Sequence, residues 1–125
     1  MGMAATTKLG NKARRYYTGA AVPMRVIRKF ARAVAERFHP DKIILFGSYA
    51  YGTPHEDSDV DLLVVMPAAN QHSQSVRIQW RLSPPFPLDL LVRTPKEMAW
   101  RLKESESFTT TIVSNGKVLY EKDEK

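Results

Sequence analysis

The chain has 125 residues, of which 43% are hydrophobic and 26% charged; it carries a formal net charge of +6 and contains no cysteine. This size suits one domain, and the lack of cysteine excludes disulfides and thiolate metal sites. No apolar run approaches the ~20 residues of a membrane span, and the N-terminus lacks the apolar core of a signal peptide, so we expect a cytoplasmic protein with no membrane partner.

The positive charge is concentrated near the N-terminus. Residues 1–39 contain nine Lys or Arg and one Glu, whereas residues 40–125 contain ten Lys or Arg and twelve Asp or Glu. Residues 1–22 lack a helical apolar stripe, so we expect a flexible basic arm there. Such a surplus suits an anionic partner such as RNA, a nucleotide phosphate or an acidic protein face, and a solvated basic helix face explains it equally well.

The first regular element is predicted after Pro23. Apolar residues recur at three- and four-residue steps with basic residues between them, which predicts an amphipathic helix that begins at Pro23 and ends before Pro40. Its apolar positions are Ile27, Phe30, Val34 and Phe38. The apolar runs KIILF (42–46) and DVDLLVV (59–65) then predict two buried strands.

Helices and strands are also predicted in the second half of the chain. Residues 68–83 fit a strand or a short irregular helix, while LDLLV (88–92) predicts a third strand. Thr94 and Glu97 have the spacing of a capping box and predict a helix start. A further helix through Phe108 is predicted to stop at Asn115-Gly116, and VLY (118–120) is predicted as a last strand. The order indicates a small α/β sandwich with a three- or four-stranded sheet over residues 23–121, followed by a tail over 122–125.

Acidic residues lie directly before one of the most apolar segments, in the stretch FGSYAYGTPHEDSDVDLLVV (46–65). Asp59 and Asp61 are two residues apart, so on a strand their side chains would leave the same face with Cα atoms roughly 6–7 Å apart. Neighbouring carboxylates repel each other unless a cation lies between them, and a hard divalent cation suits them. A helix- or turn-capping pair is the alternative without chemistry.

Two further features extend this pattern. Gly47-Ser48 follows the first strand, where a glycine lets backbone N–H groups approach an anion and the Ser hydroxyl adds a donor. Asp89 lies inside an apolar strand, where a lone acid is costly without a partner. Phosphoryl and nucleotidyl transfer need a phosphate site beside paired carboxylates that bind two metal ions ~3.5–4 Å apart. Without that chemistry, Gly47-Ser48 would be a turn, and Asp89 would form an ion pair with one of three arginines, Arg77, Arg81 or Arg93.

The four elements together resemble the motif of a known superfamily. Gly47-Ser48, ten residues, Asp59-Val60-Asp61 and a later Asp89 are similar to the pattern of the DNA polymerase beta-type nucleotidyltransferases. Within that superfamily the chain resembles the minimal nucleotidyltransferases of bacteria and archaea, and among them the MntA-like antitoxins, from about Pro23 to about Glu121. The resemblance implies a fold like the polymerase beta palm, a small mixed sheet of three to four strands flanked by helices.

The resemblance also implies a role for each motif residue. Gly47 and Ser48 would hold the terminal phosphates of a nucleoside triphosphate, with ATP as the expected substrate. Asp59 and Asp61 would bind two Mg²⁺ ions, for which Mn²⁺ could substitute. Asp89 would join the catalytic metal and help to deprotonate the acceptor. An acceptor oxygen would then attack the α-phosphate, and pyrophosphate would leave.

A partner is expected because the minimal fold leaves little room for an acceptor-binding domain. The resemblance implies a HEPN-domain protein, an α-helical RNase toxin, and an antitoxin that transfers AMP to a tyrosine hydroxyl of that toxin. Two alternatives remain: a non-catalytic antitoxin that neutralises its partner by binding, and a nucleotidyltransferase that acts on a small molecule or an RNA end. A homo-oligomer also stays open, since Phe86, Trp100 and Phe108 suit a core or an interface. The chain departs from the family at Tyr51, where many members carry Arg.

Overall fold

The computed structural model describes residues 21–55 and 58–123. The predicted arm over 1–22 and the predicted tail over 122–125 therefore lie mostly outside the described residues. Val22, the last residue of the predicted arm, is buried, and its N–H donates to the Tyr49 hydroxyl at 3.0 Å. Within the described residues, no helix is both long enough and apolar enough to cross a membrane.

Five helices and four strands make up the described part of the chain. The helices are α1 (Met24–Phe38), α2 (Ser48–Tyr51), α3 (Gln71–Leu82), α4 (Pro95–Lys103) and α5 (Ser107–Asn115), and the strands are β1 (Lys42–Phe46), β2 (Val60–Val65), β3 (Leu88–Arg93) and β4 (Lys117–Glu121). They form one four-stranded sheet in the order β3-β2-β1-β4. β1 is antiparallel to β2 and β4, whereas β2 and β3 are parallel. The predicted mixed sheet flanked by helices is confirmed, with four strands.

Helices pack on both faces of the sheet. Ile27 and Val34 of α1 and Ile78 of α3 pack on one face, against strand residues such as Leu45 and Leu62. Met98 of α4 and Ile112 of α5 pack on the other face, and the cluster there is Ile44, Phe46, Leu63, Val65, Met98 and Ile112. Strands that are covered on both sides read as continuous apolar runs, which explains why β1 and β2 could be predicted from composition.

The predicted helix boundaries also hold. α1 lies between Pro23 and Pro40, as its periodicity predicted. α4 begins at a cap in which the Thr94 hydroxyl accepts a hydrogen bond from the Glu97 N–H at 3.0 Å. α5 ends at Asn115, and β4 follows Gly116 directly. These local signals worked because each cap satisfies backbone groups that a helix end leaves unpaired.

The stretch that fitted either a strand or a helix is the helix α3. The Asn70 side chain caps its first turn by accepting a hydrogen bond from the Ser73 N–H at 2.8 Å. Apolar residues alternate with polar ones here because Val76 and Trp80 are apolar although they are exposed, at 50% and 82%. Ile78, which lies between them in sequence, is buried. Two parallel strands cannot be joined by a tight hairpin, so the β2 to β3 connection needs such a crossover element.

Candidate active site

The structure brings Asp61 and Asp89 together across two strands. The two residues are register partners in the parallel β2–β3 pair. Neighbouring strands lie about 4.8 Å apart, so the two side chains leave the sheet side by side. Residues two apart on a strand share a face, and Leu63 and Leu91 each lie two residues after one of the acids. Both leucines pack in the core under α4 and α5, so Asp61 and Asp89 lie on that same face of the sheet. Two acids that are 28 positions apart in sequence thus share one edge of one face.

Asp59 lies next to this pair. It is the residue directly before β2 and is exposed, whereas Asp61 is half-buried. The pKa of Asp61 is raised from 3.8 to about 6, first by burial and then by the negative charges of Asp89 and Asp59. The charges of Asp89 and Asp59 disfavour ionisation of Asp61, so the three groups are close enough to interact electrostatically. The three carboxylates therefore form one electrostatic cluster.

Gly47 lies against the carboxylate of Asp61. Its backbone has φ +74° and ψ −159°, a conformation that is essentially restricted to glycine. A Cβ atom built on Gly47 would lie 2.1 Å from Asp61 Oδ2, far inside van der Waals contact. Glycine is therefore required twice, once by the backbone and once by the neighbouring carboxylate. The sequence predicted a role toward phosphate for Gly47, and the contact with Asp61 is additional.

Ser48 begins the single turn of α2 directly after Gly47. The turn is closed by hydrogen bonds from the Tyr51 N–H to the Gly47 carbonyl at 3.1 Å and from the Thr53 N–H to the Ser48 carbonyl at 3.0 Å. Tyr49 is buried and anchors the turn in the core. Ser48 is half-buried, so its hydroxyl group lies on a fixed backbone beside the carboxylate cluster.

The carboxylate cluster fits a divalent metal by its donor chemistry and not by a preformed geometry. Among the residues in 21–55 and 58–123, no three acidic or histidine side chains converge as a ready-made ligand group. In the same part of the chain, none of the ion pairs includes Asp59, Asp61 or Asp89, so the alternative pairing of Asp89 with an arginine is not found. Three carboxylates without a countercharge are the donor set that Mg²⁺ prefers. The pKa of Asp61 is raised by burial first and by the charges of Asp89 and Asp59 second, and a bound cation would offset both effects.

One residue beside the cluster was not predicted from the sequence. Phe108 fitted a core or an interface, yet it is 42% exposed, and its ring packs edge-on against Phe46 with the centroids 5.7 Å apart. Phe46 is in turn the register partner of Asp61. No local pattern could have shown this, because the link depends on the β1–β2 register and on how α5 packs.

Comparison with known proteins agrees with this geometry. The model of the nucleotidyltransferase domain family matches residues 27–113. A candidate protein adenylyltransferase of Methanocaldococcus jannaschii is 30% identical over 98 residues, which cover 77% of this chain and 96% of that protein.

Two solved structures share the fold. One is a mutant of the MntA–HpeT toxin–antitoxin, with a TM-score of 0.52 and 21% identity. The other is a toxin–antitoxin with AMP-PNP, with a TM-score of 0.53 and 23% identity. Each match covers 82% of this chain and 76% of the other, and at these identities it shows the fold alone. From the family match and the 30% identical relative, the chain belongs to the nucleotidyltransferase domain family and is a nucleotidyltransferase.

Proposed function

We propose that this protein transfers AMP from ATP to a tyrosine hydroxyl of a partner HEPN-domain toxin in a Mg²⁺-dependent reaction, and that it thereby acts as an antitoxin. The observation that carries the chemistry is the pairing of Asp61 with Asp89 beside Gly47. The glycine leaves space for one carboxylate, and the strand register supplies the second.

In this proposal Asp59, Asp61 and Asp89 are the residues that would hold Mg²⁺. Bound Mg²⁺ would neutralise charge on the phosphates and favour loss of the acceptor proton. The fit rests on the carboxylate donor set, and the burial and like charges that raise the pKa of Asp61 also favour a bound cation. Asp89 is the more exposed member of the strand pair, which suits contact with an incoming acceptor.

The remaining steps belong to the residues of this chain and to the substrates. The backbone N–H groups at Gly47 and Ser48, with the Ser48 hydroxyl, would hold the β- and γ-phosphates. Asp89 would accept the proton of the acceptor hydroxyl, whose oxygen forms a bond to the α-phosphorus. The bond between the α-phosphorus and the bridging oxygen breaks, and that oxygen leaves with pyrophosphate. The products are an AMP ester of the acceptor and pyrophosphate.

The choice of nucleotide and acceptor is supported by the relatives. The Methanocaldococcus jannaschii relative is named as a candidate protein adenylyltransferase, which indicates AMP and a protein acceptor. A structural neighbour is a toxin–antitoxin with AMP-PNP, which favours an ATP-like nucleotide and a toxin partner. Asp59 and Asp89 are exposed, as a reaction on another protein requires.

The test is transfer of label from α-labelled ATP to co-expressed partner protein in Mg²⁺. We expect Asp89→Asn to reduce transfer by about 100-fold or more, because it removes both a metal ligand and a proton acceptor. Asp41→Asn is the matched control, since Asp41 pairs with Lys122 at 3.1 Å and lies outside the cluster. No label on any protein, small-molecule or RNA acceptor would contradict the proposal.

The same variants separate catalysis from neutralisation by binding. If the protein acts by occupying its partner, Asp59→Asn would still protect cells from the toxin. If it acts by AMP transfer, Asp59→Asn would bind the toxin without protecting. A folded variant that binds and fails to protect therefore supports the enzyme over the binding module.

A further inference from the structure

Phe108 is an aromatic side chain that is both exposed and fixed in place. It is the second residue of α5, its side chain is 42% exposed, and its ring meets that of Phe46 at an interplanar angle of 88°. The guanidinium carbon of Arg93 lies 5.7 Å from the centre of the Phe108 ring. A single exposed apolar side chain is common on protein surfaces, and Phe108 differs in that Phe46 and Arg93 hold its ring in place.

The backbone at Phe108 is held by its neighbour in sequence. Thr109 is fully buried, and its hydroxyl accepts a hydrogen bond from Arg93 Nη1 at 3.1 Å. The Thr109 N–H donates to Glu106 Oε1 at 3.0 Å, and Glu106 lies 3.8 Å from Arg101. These contacts join the start of α5 to β3. A ring that is already immobilised loses little conformational entropy when a ligand packs against it.

The position of Phe108 relative to the acid cluster follows from the strand register. Phe46 lies directly opposite Asp61, and facing residues of antiparallel strands have Cα atoms about 4.5–5.5 Å apart. The rings of Phe46 and Phe108 are a further 5.7 Å apart. Phe108 is therefore one side-chain contact removed from the residue that faces Asp61. In a nucleotide, one ribose separates the α-phosphate from the base, which is a separation of similar scale.

We infer that Phe108, supported by Phe46, is the contact surface for the base of the bound nucleoside triphosphate. This inference rests on the proposed function, because it requires the α-phosphate to lie at the acid cluster. The ligand class is a flat aromatic base that is attached through ribose to a triphosphate. Contact with a phenylalanine ring offers no hydrogen bond, so it adds affinity for any base and most for the larger purines.

The experiment compares two ligands on three forms of the protein. Wild type, Phe108→Leu and Phe108→Trp are titrated calorimetrically with ATP and with inorganic tripolyphosphate, each in excess Mg²⁺. Leucine keeps an apolar contact with Phe46 and removes the ring. We expect Phe108→Leu to weaken ATP binding about 5- to 50-fold, with tripolyphosphate binding within twofold of wild type. Phe108→Trp should retain ATP affinity.

Val113→Ala is the matched control on the same helix. Val113 is 47% exposed, close to the 42% of Phe108, but it belongs to neither the acid cluster nor the Phe46 contact. Its ATP affinity should equal that of wild type. Thermal melts of all variants identify any loss of affinity that comes from unfolding.

The outcomes distinguish the inference from the function on which it rests. Unchanged ATP affinity in Phe108→Leu, or equal weakening of both ligands, would overturn the inference and leave the proposed function standing. Unchanged ATP affinity with a raised KM for the acceptor would assign Phe108 to the acceptor and would also overturn it. Failure of the wild type to bind ATP would count against the proposed function itself, and the inference would fall with it.

Discussion

Asp61 and Asp89 face each other directly across the only parallel strand pair in the described part of the sheet. Their side chains leave the same face of the sheet, and Gly47 lies against the carboxylate of Asp61. Each carboxylate is thus held by backbone register, which does not depend on other side chains. The chemistry of the site follows from that pairing, and so do its sensitivities to pH and to substitution.

The stability of the metal-free protein should fall as the pH rises through about 6. The pKa of Asp61 is raised from 3.8 to about 6 in the folded state, so folding favours the protonated carboxyl. This contribution is fully present below pH 3.8 and is lost as the pH passes the folded value. We expect Asp61→Asn, melted in EDTA, to be more stable than wild type at pH 7.5 by roughly 1–3 °C and equal to it near pH 4. Parallel melting profiles across that range would contradict the pKa shift.

Two glycines with positive φ provide a matched pair of substitutions. Gly52→Ala should cost only backbone strain, about 1 kcal/mol, because nothing lies within 4 Å of its Cβ position. Gly47→Ala adds a collision with Asp61 to a backbone conformation that only glycine adopts readily. We expect Gly47→Ala to abolish binding of Mg²⁺-ATP and Gly52→Ala to retain it, both measured calorimetrically. Equal losses in the two variants would show that backbone strain alone is responsible.

Tyr51 occupies the position at which the resemblance described above leads us to expect an arginine. It is the last residue of α2, one turn after Gly47-Ser48, and it is 47% exposed. We expect Tyr51→Arg to tighten ATP binding about tenfold, because it adds a charged donor for phosphate. Tyr51→Leu is the control for loss of the tyrosine. If both substitutions change the affinity equally, the added charge plays no part.

The contact between α3 and β3 depends on one buried hydroxyl. Ser75 Oγ donates to the Leu90 carbonyl at 2.6 Å and accepts from Gln79 Nε2 at 3.1 Å. We expect Ser75→Ala to lower the free energy of unfolding by about 1 kcal/mol, because the hydrogen bond is lost and both partners stay in place. Urea titration measures the change. Ser73→Ala, on the exposed side of the same helix, should stay within about 0.5 kcal/mol of wild type. A Ser75→Ala variant as stable as wild type would mean that the hydroxyl contributes nothing to docking α3.

The parts of the fold that could be predicted are those with local signals. β1 and β2 are apolar runs, α1 has a clear period, and Thr94 caps α4 within its own turn. α3 could not be decided, because Trp80 is apolar in sequence but lies on the solvent side.

Some features of the candidate site are likewise visible in the sequence, and others depend on the fold. The acidic spacing of Asp59 and Asp61 is visible in the sequence, as is the isolated Asp89 within an apolar run. The contact of Gly47 with Asp61 and the position of Phe108 depend on how strands register and helices pack. Those relationships are non-local, and no window of sequence contains both partners.

The parallel pairing of β2 and β3 also has a kinetic consequence. Asp61 and Asp89 meet only after the chain has passed through α3 and returned alongside β2, a closure with a large loss of chain entropy. Non-local contacts of that kind slow folding in small mixed domains. A chain in which β2 and β3 have not yet paired has no complete active site. Nucleotide binding can therefore report the closure of this crossover.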